Sequence, residues 1–186
     1  MATGWSRVAK RVRVPMGFLF AALFLWLARP SLISLAASLL LVVPGLMLRA
    51  YASGYVKKNS ELTVTGPYGY TRNPLYLGSI LIAFGFAGAA RSPWIALALV
   101  AFFAIIYVPV IRAEEEFLRE AFPEFDDYCR RVPRLLPRLT PAIPGGIEPG
   151  HFSAGLYRKH REYNALLGAA GIYAALAIRL YLSTRH

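Results

Sequence analysis

Five stretches of this chain are apolar enough and long enough to cross a membrane. They run from about Val14 (or Val8) to Ala28, Ser31 to about Tyr51, Pro74 to Ala90, Pro93 to Ile111, and about Tyr163 to Leu182. Each approaches the roughly 20 residues that a spanning helix needs. Hydrocarbon offers the backbone no hydrogen-bond partner, so a segment that lies in it must satisfy its own N–H and C=O groups as a helix. The expectation is an all-α, polytopic integral membrane protein with about five transmembrane helices, forming one domain over 1–186. Pro30, Pro74 and Pro93 stand where helices open, a position at which the missing proline N–H costs nothing. Arg29-Pro30 and Arg91-Ser92-Pro93 are then tight breaks. Pro44 and Gly45 inside the second run predict a kink whose freed backbone groups are met by neighbours. The first run follows basic residues, as a signal peptide does. The second begins at once after Pro30, however, with no small-x-small cleavage site between them. A retained helical hairpin over 14–51 is expected.

Composition agrees: 56% of the 186 residues are hydrophobic, too many for a soluble domain of this size. The net charge of +11 raises nucleic acid as a partner, but the basic residues form no single face or stripe. They gather at the ends of apolar runs, with Arg7, Lys10, Arg11 and Arg13 before the first and Arg49, Lys57 and Lys58 after the second. This pattern places the N-terminus, the 49–73 loop and the 112–160 segment on the cytoplasmic side, where they also suit anionic headgroups. The two short breaks lie opposite, as does the C-terminus if the last run spans. Nucleic acid is not an expected partner. The lone Cys129 cannot make an internal disulfide, and His151, His160 and His186 lack ligand spacing, so no metal site is expected. No Gly-x-Gly-x-x-Gly follows a strand, which argues against a Rossmann cofactor domain.

Two polar islands stand at the mouths of apolar runs. The first, Gly66-Pro67-Tyr68-Gly69-Tyr70-Thr71-Arg72-Asn73-Pro74-Leu75-Tyr76-Leu77-Gly78, leads straight into the third run. The second, Arg112-Ala113-Glu114-Glu115-Glu116, follows the fourth, and seven of the ten carboxylates fall between Glu114 and Asp127. Ionisable groups at a bilayer boundary are costly unless solvated, paired or bound to a charged ligand. A helical hairpin from Pro74 to Ile111 would return both islands to the same side. Asn73 suits an N-cap. Equally, a helix N-terminus and the Arg72 fork suit a carboxylate ligand, and Gly78 lets a helix or a flat ligand come close. The glutamates read either as solvated charges partnered by Arg112 or as a site for a cation. Successive residues on a helix point about 100° apart, so not all three can face one pocket. Downstream, Glu114 to Tyr128 reads as an interfacial helix, Val132 to Pro137 as an extended segment, and Pro141 to Gly150 as a linker.

In this order, Gly-Pro-Tyr, Arg-Asn-Pro-x-Tyr-x-Gly, Arg-x-Glu-Glu and Val-Pro-Arg-x-x-Pro resemble the isoprenylcysteine carboxyl methyltransferase family and its bacterial phospholipid-methyltransferase-like relatives. The resemblance covers about residues 62–137. It implies a membrane-embedded enzyme that uses S-adenosylmethionine at a cytoplasmic-face pocket and methylates a lipid or prenylated acceptor, either a carboxylate or a phospholipid amine. Carried over, it places Tyr68, Arg72, Asn73, Pro74, Tyr76, Leu77 and Gly78 at the cofactor, with Glu114 and Glu115 as the paired glutamates; Arg72, Glu114 and Glu115 would take the catalytic roles. Departures are Asn73 where many members have His, and Pro123 in place of a typical Gly. A last helix over about 160–182 lies beyond the matching core. Rival readings are a non-catalytic membrane scaffold or degenerate homologue, and a sterol-reductase-like enzyme.

Overall fold

A computed structural model of the chain describes residues 22–57, 61–142 and 150–184. The basic flank Arg7–Arg13, the start of the first apolar run, Lys58, His186 and most of the expected linker lie outside the described residues. Among the described residues the structure is helical, with no strand. Residues 22–27 are helical (α1). They are followed by α2 (Leu32–Ser53), α3 (Pro74–Ala90), α4 (Pro93–Ala121), α5 (Phe125–Arg131), α6 (Ala154–Lys159) and α7 (Tyr163–Ser183). Helices α2, α4 and α7 are long and apolar enough to cross a membrane, and α3 is a shorter apolar helix of 17 residues.

As expected, α3 and α4 open on their prolines, while α2 runs unbroken through Pro44. Helix α4 contains one π-helical turn over Phe103–Tyr107, in which the Val108 N–H reaches back to the Phe103 carbonyl. One expectation is corrected here. No separate interfacial helix spans 114–128: α4 continues past Ile111 to Ala121, and a new helix starts at Phe125. Pro123 is the cause, because it disfavours helical backbone at Phe122 and cannot donate back into the preceding turn.

The chain forms two compact units. The first comprises the described residues of Met1–Val42, Ile82–Glu116 and Gly168–His186. Its core includes an aromatic chain in which Phe24 meets Phe86 edge-on at 6.4 Å and Phe86 meets Tyr173 at 5.0 Å. The Tyr173 hydroxyl is in turn hydrogen-bonded to Ser38 at 2.7 Å. The two tight breaks meet at one end. The Arg29 N–H donates to the Ala90 carbonyl at 2.9 Å, and Ser34 donates to Ala89 at 2.9 Å. Arg179 of α7 donates to the carbonyls of Trp26 (2.8 Å) and Ala28. Carbonyls orphaned at helix ends are thereby satisfied, partly by a cation that complements their partial negative charge. The end of α7 thus lies with the two breaks, as the charge count expects for a last run that spans.

The second unit comprises Val43–Leu81 and Phe117–Leu167, within the described residues. Here α2 presses onto α3 at Gly78, where an added Cβ would stand 2.8 Å from the Gly45 carbonyl and 2.6 Å from Arg49 Cγ. Without a hydrophobic drive between helices in lipid, such close approach of small residues is what supplies packing. Gly78→Ala is expected to cost about 2 kcal/mol, because a backbone carbonyl cannot swing away. Denaturant unfolding in detergent would read this, and an unchanged midpoint would show that α2 has room to yield. Farther along the unit, Val64, Phe125, Tyr128 and Val132 form a small buried core that fastens α5 beneath the first polar island.

Candidate functional site

The first island begins as a tight 3-10 turn over Gly66–Gly69. Gly66 has φ +59°, and the Tyr55 ring lies 2.5 Å from where its Cβ would be, so only glycine fits. Tyr55 and Tyr51 share a 2.9 Å hydrogen bond. That bond, together with burial and the neighbouring phenol's charge, pushes the Tyr55 hydroxyl up to about 12. It therefore stays protonated at cellular pH and cannot serve as a base.

From Tyr68 onward the island is laced to residues 128–142. Pro133 and Pro137 keep this segment out of a helix, so its carbonyls are free to pair elsewhere. Tyr128 Oη donates to the Tyr68 carbonyl at 2.7 Å, and the Arg72 N–H donates to Pro133 at 3.0 Å. Thr71 Oγ1 reaches the Leu135 and Arg134 carbonyls at 3.0 and 3.2 Å, and Asn73 Nδ2 reaches Arg134 at 3.0 Å. In return, Arg138 donates to Tyr70 (3.0 Å) and Ala142 donates to Gly69 (2.9 Å). The Gly-Pro-Tyr…Arg-Asn-Pro and Val-Pro-Arg-x-x-Pro motifs are two halves of one clasp. Tyr68, Pro74 and Gly78 are buried within this unit, and Arg72, Asn73, Tyr76 and Leu77 are half-buried.

Arg72 has a structural task that its sequence does not announce. Its Nη1 donates to the carbonyls of Val132 (2.8 Å) and Cys129 (3.1 Å), where α5 ends. A cation there satisfies last-turn carbonyls and complements the helix dipole. Arg72→Ala should therefore cost about 2 kcal/mol of stability through lost charge-assisted hydrogen bonds, whatever it does to a ligand. Arg72→Lys should recover part of this. Chemical unfolding of both variants in detergent tests the point, and wild-type stability in Arg72→Ala would remove it.

A second polar constellation lies one turn into α3. Arg49 holds Glu162 in a forked pair, with Nη2 at 2.8 and 2.9 Å and Nε at 3.1 Å from the carboxylate oxygens. Its Nη1 donates to the Leu75 carbonyl at 3.3 Å and to Ser79 Oγ. The two side chains are 23% and 12% exposed, so this is a largely desolvated pair. Sequence reasoning counted Arg49 among the flanking charges and gave Glu162 no role. The available signal was a lone carboxylate at the mouth of an apolar helix, which is costly unless paired.

Glu114, Glu115 and Glu116 belong to the other unit. Of these three only Glu115 is buried, at 4% exposure, whereas Glu114 and Glu116 are half-buried and Arg112 is exposed. Burial thus sets Glu115 apart from its two neighbours. Among the described residues no three His, Cys, Asp or Glu side chains form a group able to hold a metal ion.

A model of the phospholipid methyltransferase family matches residues 12–124, more than half of the chain. The chain belongs to the phospholipid methyltransferase family. This family lies among the isoprenylcysteine carboxyl methyltransferase-like membrane methyltransferases. Together with three apolar helices of spanning length, membership makes the chain an integral membrane protein.

The family match takes in the N-terminal apolar segments and both polar islands, and it ends before the segment that clasps the first island. Two curated relatives share a shorter stretch. The nickel-cobalt-cadmium resistance protein NccN of Alcaligenes xylosoxydans xylosoxydans is 43% identical over 90 residues, and the cobalt-zinc-cadmium resistance protein CzcN of Cupriavidus metallidurans is 42% identical over 90 residues. Each alignment spans 48% of this phospholipid methyltransferase family member and 41% of the relative. No solved structure matches.

Proposed function

We propose that this family member transfers a methyl group from S-adenosylmethionine to a lipid acceptor within the membrane, from a site on the cytoplasmic side. The observation that carries the reading is Glu115, a carboxylate 4% exposed on an apolar helix within the family match. A buried carboxylate in such a place is a group that can take part in ligand binding or proton transfer. The donor set fits the cofactor's chemistry. Among the residue types that the resemblance assigns to the cofactor, Arg72 suits a carboxylate, Glu114 and Glu115 suit an amine or ribose hydroxyls, and Tyr68 and Tyr76 suit a sulfonium. Asn73, Pro74, Leu77 and Gly78 shape the backbone beside Arg72. When bound, S-adenosylmethionine supplies a methyl group activated by its positive sulfur.

Most of the catalysis would then be positioning and exclusion of water. The first island is suited to positioning, because its backbone and side-chain groups from Tyr68 to Asn73 are tied into the 128–142 clasp by the bonds given above. A phospholipid amine must lose a proton before it can accept a methyl group, whereas a prenylated-cysteine carboxylate needs no base. A buried glutamate therefore favours the amine. The test is methyl transfer from labelled cofactor into a total lipid extract by purified protein, followed by identification of the product. Label in a phospholipid headgroup is expected. Label in no lipid would leave the non-catalytic scaffold as the better reading. The relatives' names suggest a setting in metal resistance. Growth of a deletion strain on cobalt or cadmium, complemented by wild type but not by Glu115→Gln, would tie that setting to the chemistry.

A further inference from the structure

We propose that the segment Arg130–Leu139 is a docking surface for the anionic headgroup layer of the bilayer that holds the chain. Three observations within the second unit carry the proposal. The first is placement. Thr71 and Asn73, immediately before the apolar helix α3, bond the carbonyls of Arg134 and Leu135. Leu75 is in turn bonded by Arg49, in the last turns of the spanning-length α2. The segment is therefore held at the level where apolar helices give way to water.

The second observation is exposure. Leu136 and Leu139 are 77% and 100% exposed, although they sit on a backbone pinned by the Arg138 N–H to Tyr70 and the Thr71 hydroxyl to Leu135. Large apolar side chains on a fixed strap at a membrane boundary are favourable once they enter the headgroup and acyl border. The third is charge. Arg130, Arg131, Arg134 and Arg138 fall in this stretch, and no carboxylate occurs between Asp127 and Glu148. The nearest carboxylates, Asp126 and Asp127, face Arg119 at 2.8 Å and Arg130 at 3.4 Å. Clustered arginines beside leucines match lipid phosphates laterally and acyl chains below, because guanidinium forks pair with phosphate while their stems lie on apolar surface. A zwitterionic surface offers the apolar contact but little of the electrostatic one, so the occupant is an anionic lipid such as phosphatidylglycerol.

The test uses full-length protein in nanodiscs of phosphatidylcholine alone and of phosphatidylcholine mixed with phosphatidylglycerol. Leu139→Cys in a Cys129→Ala background carries an environment-sensitive fluorophore. Its emission is expected to shift to the blue in the anionic discs, and to lose that shift in high salt and in Arg130→Gln/Arg134→Gln. The unlabelled wild type should show slower hydrogen exchange over 130–139 in the anionic discs, a readout independent of the label. Water-like emission and unchanged exchange in both lipids would overturn the proposal. So would an equal blue shift in both discs that is indifferent to salt and to the arginines, since it would mark cover by protein or simple apolar contact.

Discussion

Glu162→Ala is expected to lower the unfolding free energy of the detergent-solubilised protein by about 3 kcal/mol, the lower end of the cost of stranding one member of a buried ion pair. The lower end applies because Arg49 remains 23% exposed and can draw in some water. With Glu162 gone, the guanidinium keeps only Ser79 and the Leu75 carbonyl as acceptors among the bonds described above. Arg49→Met combined with Glu162→Met should return to within about 1 kcal/mol of wild type, because an apolar pair of similar volume avoids the desolvation cost altogether. Unfolding followed by tryptophan emission reads all three proteins. A single alanine variant as stable as wild type would mean that the pair is solvated in the membrane and carries no weight. Within the second unit, the pair also fastens the residues that open α7 to α2 and α3.

The other large effect concerns chemistry. Glu115→Gln is expected to retain membrane insertion and melting temperature while slowing methyl transfer by about tenfold or more, a loss that removal of a general base typically exceeds. Glu116→Gln, half-buried and turned about 100° away, should fall within a factor of about two of wild type. Both variants conserve shape, so a matched melting temperature separates a chemical loss from a folding one. Equal turnover in Glu114→Gln, Glu115→Gln and Glu116→Gln would return the three carboxylates to solvated surface. The methyltransferase assignment would then rest on family membership alone.

Much of the fold was legible because proline and charge punctuate it. Pro74 and Pro93 open helices where they stand, and the Arg29 and Arg91 breaks come together as their shortness implies. The region after Ile111 was misread for a physical reason. The stripe of Phe117, Leu118, Ala121, Phe122 and Phe125 keeps helical spacing across a point where Pro123 forbids a helix. Backbone chemistry there outranks periodicity. At the site, Glu115 was separable from its neighbours by helical angle alone, and burial chose it. The second task of Arg72 and the whole Arg49–Glu162 pair were not legible. Their partners lie 57 to 113 positions away, and a carbonyl at the end of a helix leaves no mark in composition. Only the principle that a carboxylate at a bilayer edge needs company pointed toward Glu162.

The π-helical turn at Phe103–Tyr107 has a consequence for how this carboxylate is chosen. Such a turn takes up one additional residue, so everything downstream on α4 is rotated by about 100° from where an uninterrupted α-helix would put it. In a regular helix the direction now held by Glu115 would belong to Glu114. The identity of the buried acid is therefore set a few turns upstream, by winding. A single-residue deletion between Phe103 and Tyr107 that restored regular winding would leave Glu115 in its present direction, whereas regular winding of the full-length helix would present Glu114 there.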